Sequence, residues 1–339
     1  MSQRPKKAGL KPRHKLLMLI ASIFIIPAIV TIIWYWLADN LQTTVQDQIS
    51  KFSASGRTIT CNNLDTRGFP FRMGIHCSHT AFDDNRTRTG ITAGALRTAA
   101  QIYRPGHIVA ELDGPFQLTS KSLQVDANWQ NLQSSAMFEL NGLGRGSIKA
   151  TNLNAKIIEP QDLQIGSILA DNFEMHTRQN EEDLDFAISA NNLSLIDASG
   201  KPLETDIQFD LVSKALGLSE LLEFGGKRDA LNLRGKTVEL QRLNVTMDDQ
   251  GQLTLSGPMS FSADGLLTGV FDIDVQNPGV VLNKVFAHME GGQIDPNLIK
   301  PTLSALSTGD SANNLKLKLN IKDGVAFIGP FPIGTIPPI

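Results

Sequence analysis

The sequence predicts a mainly β protein: a large curved antiparallel sheet system with a few helices, preceded by one N-terminal transmembrane helix. Three observations carry this. An uncharged apolar run lies near the start, the long remainder repeats its apolar residues at every second position, and glycine and proline fall as turn and kink signals rather than as linkers.

The first fifteen residues hold Arg4, Lys6, Lys7, Lys11, Arg13 and Lys15 and no acidic residue, and Leu16 to Leu37 then runs without a charge. At 1.5 Å per residue that run is roughly 33 Å long, enough to cross a hydrocarbon core. Pro27 within it is tolerated by a membrane helix, and Trp34, Tyr35 and Trp36 supply an interfacial aromatic belt. Basic residues before the span and none directly after it place the N-terminus in the cytoplasm. A cleavable signal peptide would have a shorter apolar stretch ending in a small-x-small site, so an uncleaved signal anchor is expected. The organisation that follows is a cytoplasmic tail at 1–15, a transmembrane anchor at 16–37, an extramembrane helix at 38–55 and a periplasmic β-rich domain at 56–339, with a candidate subdivision near 225. In a bacterium this is a single-pass inner-membrane protein with its C-terminal domain in the periplasm.

The charge balance agrees with a domain that does not bind nucleic acid. The chain has 31 Lys and Arg against 34 Asp and Glu; without the six basic residues ahead of the span, residues 16–339 carry a net charge of −9, which repels phosphate backbones.

Just after the span, Leu37, Leu41, Val45, Ile49 and Phe52 mark one face of a helix continuing outward, expected to pack on the domain. From residue 57 the period is two. Leu123, Val125, Ala127 and Trp129 alternate with polar residues, as do Ile207, Phe209 and Leu211, then Leu243, Val245 and Met247, then Phe271, Ile273 and Val275, then Leu315, Leu317, Leu319 and Ile321. Each segment reads as a strand with one apolar and one solvated face, typical of antiparallel sheets. Helices are expected at Ser213–Phe224, Asn277–Met289 and Asp295–Leu306.

Three segments share an apolar-x-Gly-Pro-apolar-x-apolar signature, beginning at Leu112, Leu255 and Phe327. Gly permits a bulge and Pro removes a ladder donor, so each pair is expected to bend a strand at a sheet edge, and three such kinks suggest repeated curving units. Apolar residues two apart after each kink share a face. Phe116, Leu118, Met259, Phe261, Phe271, Ile273 and Val275 are therefore the candidate lipid-facing residues of a trough.

The two cysteines, Cys61 and Cys77, have fifteen residues between them, in strand-like runs separated by the turn-forming Asp65-Thr66-Arg67-Gly68. A hairpin-like pair with the sulfurs together is expected, and in an oxidising compartment the outcome is a disulfide. His76 and His79 offer a metal alternative, but the spacing departs from structural zinc sites, and adjacent His76 and Cys77 point to opposite faces of a strand. A redox centre would favour Cys-x-x-Cys.

Other chemistry is weakly signalled. There is no Gly-x-Ser-x-Gly, His-Glu-x-x-His or Walker loop, and Gly142-Leu-Gly-Arg-Gly146 lacks dinucleotide-loop spacing. His107, His176 and His288 look isolated, and the acidic run Asn180-Glu-Glu-Asp183 followed by Asp185 offers calcium ligands but is explained more simply as a hairpin tip exposed to water. No enzymatic activity, cofactor or metal is expected.

The N-terminal span together with "CNNLDTRGFPFRMGIHC", "ITAGALRTAAQIYRPGHIVAELDGPF" and the closing "DGVAFIGPFPIGTIPPI" resembles an uncharacterised proteobacterial family of membrane-anchored envelope proteins, known only as a domain of unknown function. More loosely, "GQLTLSGPMSFSADGLLTGVFDIDVQNPG" and "LKLKLNIKDGVAFIGP" resemble AsmA-like proteins. That likeness implies an inner-membrane anchor, a long β-rich periplasmic domain and a part in envelope lipid homeostasis.

Two functional readings remain. A curved sheet with few covering helices leaves an apolar groove for membrane lipids; a closed sandwich with a dry core would instead be a structural scaffold for envelope proteins.

Overall fold

The computed structural model describes residues 12–53, 56–159, 164–224, 233–247, 251–287 and 313–339. Helix α1 (Pro12–Ser53) is continuous through Pro27 and is long and apolar enough to cross a membrane. Beyond Leu37 it keeps the predicted stripe: Leu37, Leu41, Val45 and Ile49 are half-buried, while Phe52 at the last turn is exposed.

From Arg57 onward the chain is mostly strand, and antiparallel pairings join all strands into one sheet. That sheet forks at β11 (Leu143–Ile158). One edge of β11 pairs along its length with β12 (Gln164–Asn180); the other is shared by β9 (Gln124–Asn128) and β10 (Asn131–Phe138). The first branch continues from β9 through β8 (Phe116–Thr119), β5 (Thr89–Ala93) and β4 (His79–Asp84) to β1 (Arg57–Asn62). The second runs from β10 through β7 (Arg104–Leu112), β6 (Leu96–Gln101) and β3 (Arg72–Cys77) to β2 (Asp65–Arg67). The chain repeatedly leaves one branch for the other through connections too short for a loop, so these are corners in bent strands. Two corners are bonded together: Gly94 N–H donates to Asp113 O at 3.0 Å, and Asp113 N–H to Ala95 O at 2.9 Å. A Cβ on Gly94 would sit 2.7 Å from Gly114 O, which is why glycine is needed there.

On the other side of β11 the sheet is a meander: β12, β13 (Asp183–Asp197), β14 (Pro202–Ala215), β15 (Thr237–Met247), β16 (Gly251–Phe261), β17 (Leu267–Gln276), β18 (Asn314–Lys322), β19 (Val325–Ile328) and β20 (Phe331–Thr335). The pairing of β14 with β15 spans the candidate subdivision, and Gly225 and Gly226 lie outside the described residues. A crease crosses the long strands. Asn152, Asn192 and Asp206 take left-handed backbone angles (φ 50°, 52° and 57°) where the ladder skips a residue. Asn and Asp tolerate this conformation better than other side chains; the ladder stays in register across Asn152, while in the β13–β14 ladder one extra residue on each strand, at 191–192 and at 205–206, bends it. Ala150, Ala170 and Ala190 are buried beside the crease, where small side chains let the sheet fold sharply.

Helix α2 (Pro278–Ala287) packs on β16 and β17, within the predicted Asn277–Met289. Val281 of α2 joins Val275, Leu315 and Leu317 in one buried cluster; Leu240, Phe271, Ile321 and Ala326 form another, against which Ile336 of the C-terminal segment packs. Lys284 of α2 also pairs with Glu204 of β14.

Several expectations are corrected. Ser213–Phe224 is not a helix: residues 213–215 finish β14, held by pairing with β15, Gly217 turns the chain at φ 63°, and only Ser219–Leu222 make a 3-10 turn. The segment Asp295–Leu306 lies outside the described residues. The three Gly-Pro signatures occupy three unlike settings: 114–115 in a corner, 257–258 inside the central strand β16, and 329–330 in the β19–β20 turn. Gly257 (φ 153°) is the interior bulge, where a Cβ would collide with Val270 O of β17. They are not edge bends of a common repeat.

Candidate functional site

Because every pairing is antiparallel with known register, side chains can be followed across the sheet in rows. One row runs Ser134, Ile148, Met175, Ile188, Leu211, Leu243, Leu255, Ile273, Leu317 from β10 to β18. The next runs Ala150, Phe173, Ala190, Phe209, Val245, Leu253, Val275, Leu315. On β11–β15 most of these side chains are half-buried; on β17 and β18, under α2 and the C-terminal segment, Val275, Leu315 and Leu317 are buried. The same apolar face therefore has a covered end and a stretch that keeps access to solvent.

The residues between these rows form a polar face. A single row reads Asp65, His76, Arg97, Glu111, Gln133, Lys149, Glu174, Ser189, Asp210, Asn244, Thr254, Asp274, Lys316 from β2 to β18. Opposite charges meet at Arg97–Glu111 (3.3 Å), Lys149–Glu174 (2.7 Å) and Lys316–Asp274 (3.6 Å). Exposed pairs of this kind contribute about 0.2–1 kcal/mol each, so they mark the solvated side more than they stabilise it.

A basin of about 630 Å³ lies on that face, lined by Arg72, His76, Arg97, Glu111, Lys149, Glu174 and His176 together with apolar Ala99 and Val109. Asp113 and Glu111 hold the Arg97 guanidinium charged, and Arg97 in turn keeps the Asp113 carboxyl below its usual range. The hydrogen bond from Lys149 lowers Glu174. Burial, then Arg67, pushes the His76 ring down, against Asp65, which raises it. His107 bonds Ser135 Oγ at 2.9 Å. His76 and His176, far apart in the sequence, thus reach one basin only because β3, β6, β7, β10, β11 and β12 lie side by side. That long-range pairing leaves no local sequence signal. Among the described residues no group of three His, Cys, Asp or Glu side chains is placed to hold a metal.

Cys61 and Cys77 form a disulfide, Cα atoms 5.1 Å apart. The expected hairpin between them is corrected: β1 pairs with β4 and β3 with β2 and β6, so the bond ties the two branches together.

A family profile described as an uncharacterized protein conserved in bacteria, DUF2125, matches residues 34–337. The chain belongs to this family. The DUF2125 match begins at Trp34, inside α1, and takes in the forked sheet, the crease and the C-terminal segment. No curated protein and no solved structure matches the chain.

Within this DUF2125 fold the candidate lipid-facing residues do not converge on one patch. Phe116 and Leu118 lie on β8, where Phe116 meets Trp129 with ring centroids 5.9 Å apart. Met259, Phe261, Phe271, Ile273 and Val275 lie on β16 and β17, with β9 and β11 to β15 in between. Phe271 and Val275 are 3% and 5% exposed, inside the covered end. The half-buried middle of the face, Ile148, Met175 and Ile188, was not among the candidates, because which strands a helix covers is decided by tertiary packing and not by local spacing.

Proposed function

We propose that the protein is a single-pass envelope protein, without enzymatic activity, that handles membrane lipids on the apolar face of its sheet. One observation carries this: the row Ile148, Met175, Ile188, Leu211 and Leu243 is continuous over β11–β15 and half-buried, with Leu211 and Leu243 resting on the rim of the covered cluster and Ile148, Met175 and Ile188 beyond it, whereas Leu317 at the far end is buried. A continuous apolar strip that retains access fits acyl chains, which need shielding from water but no directional bonds. The basic residues before α1 support a cytoplasmic N-terminus, and the disulfide supports an oxidising compartment such as the periplasm for the sheet.

The test is photocrosslinking in cells whose phospholipid is radiolabelled, with a benzophenone amino acid at Leu211 on the apolar face or at its neighbour Asp210 on the polar face. A lipid adduct at 211 and none at 210 supports the reading; no adduct at 211 rejects it. The burial of Phe271 and Val275 favours a second reading, a closed scaffold that binds envelope proteins. In that case the benzophenone at 211 yields only intramolecular or protein adducts.

A further inference from the structure

The polar contacts between α1 and the sheet descend along the helix in order. Gln42 Nε2 donates to Leu64 O (3.4 Å), Thr66 Oγ1 donates to Ala38 O (3.4 Å), and Trp34 Nε1 donates to Arg72 O (2.9 Å). From Gln42 to Trp34 is about 12 Å along a helix. β2 and the turn after it therefore run back toward the apolar span and reach it at Trp34. There Phe69 packs edge-on against Trp34, centroids 5.6 Å apart, and stacks with Tyr35 at 6.2 Å.

The turn is not alone at this level. Ile102 N–H donates to Phe71 O at 3.1 Å, which places the β6–β7 turn beside it. Together the two turns project Phe69, Phe71, Ile102 and Tyr103, exposed by 50%, 70%, 39% and 74%. Large apolar groups at turn tips cost solubility unless something apolar receives them. Arg72 and Arg104 flank them, both exposed, with Arg67 beside them paired to Asp65 (2.8 Å), and neither Gly68–Arg72 nor Ile102–Gly106 contains a carboxylate. Aromatic rings with a rim of arginine suit the headgroup region of an anionic bilayer, where rings sit at the acyl boundary and guanidinium groups meet phosphate.

We infer that these two turns are a second membrane contact, inserting into the interface of the bilayer that α1 crosses and seating the sheet at a fixed angle on its surface. The inference rests on reading α1 as a membrane anchor. The occupant is fixed by continuity, because Phe69 already touches the end of the apolar span, and by charge complementarity.

Hydroxyl-radical footprinting of the full chain in phosphatidylethanolamine–phosphatidylglycerol vesicles tests it, with flotation run in parallel. Phe71 and Phe224 are the same kind of side chain with similar exposure, 70% and 65%, so bilayer contact must make Phe71 react several-fold more slowly. Equal rates in chain that floats with the vesicles overturn the inference while leaving the anchor intact. Failure to float removes the anchor reading and this inference with it. Protection that disappears as the protein is diluted into more lipid assigns the tips to a second copy of the chain and equally overturns it.

Discussion

Cys61 and Cys77 are bonded to each other although their strands never pair: Cys61 on β1 lies opposite Thr80 of β4, and Cys77 on β3 opposite Leu96 of β6. The bond closes the open end of the fork that begins at β11. With a sequence separation of 16, the loop it closes in the unfolded chain corresponds to about 3 kcal/mol in the chain-entropy account. Cys77→Ser should lower unfolding stability by about 2–4 kcal/mol in denaturant titration. Cys61→Ser and the double variant should lose the same amount, since each removes one shared bond. Additive losses would show that the two cysteines stabilise the fold separately.

A second relationship fixes β3 against β6. Thr98 Oγ1 accepts from Ile75 N–H (2.7 Å) and donates to Ile75 O (3.0 Å), replacing ladder bonds with a side chain. This draws the strands together at Gly74, where a Cβ would run into Thr98 O. Gly74→Ala should therefore cost about 1–3 kcal/mol or more through overpacking, although alanine is the smallest change available. Gly200→Ala, at an open turn with φ 87°, isolates the backbone effect and should cost less than Gly74→Ala in the same titration.

His76 lies between Asp65 and Arg97 in the polar row, and burial followed by Arg67 holds its pKa below 6.5, the ordinary value. A lowered value means the unfolded chain binds the proton first. Stability contributed by the neutral ring is whole above pH 6.5 and is lost as pH falls from there through the folded value. Unfolding midpoints should fall over that window, and His76→Gln should flatten the slope. An NMR titration placing His76 at or above 6.5 contradicts the assignment.

How much of this was legible in the sequence depends on how local each cause is. The span Leu16–Leu37 and the period-two segments are statements about neighbouring residues, and α1 and the strands appear where those patterns lie. The fork was not legible, because Trp129 and Gln130 carry no mark that β9 and β10 would share β11. Nor were the Gly-Pro signatures, since the same dipeptide makes a corner, a bulge or a turn according to what lies opposite. For Ser213–Phe224, local helical spacing lost to ladder pairing with β15.

The apolar face itself gives a two-position test. Phe271 is 3% exposed within a cluster, so its burial is worth about 1.5–3 kcal/mol, and a carboxylate there has no partner and must unfold the covered end. Ile188 is half-buried in the accessible stretch, where a carboxylate keeps some contact with water and the strand keeps its ladder. Phe271→Asp should thus abolish cooperative unfolding, while Ile188→Asp should leave a folded chain that no longer yields the lipid adduct from Leu211, its cross-strand partner. Loss of folding in both variants would make the face a dry core along its whole length and favour the closed scaffold. A folded Ile188→Asp chain that still crosslinks to lipid would move the lipid contact off this row.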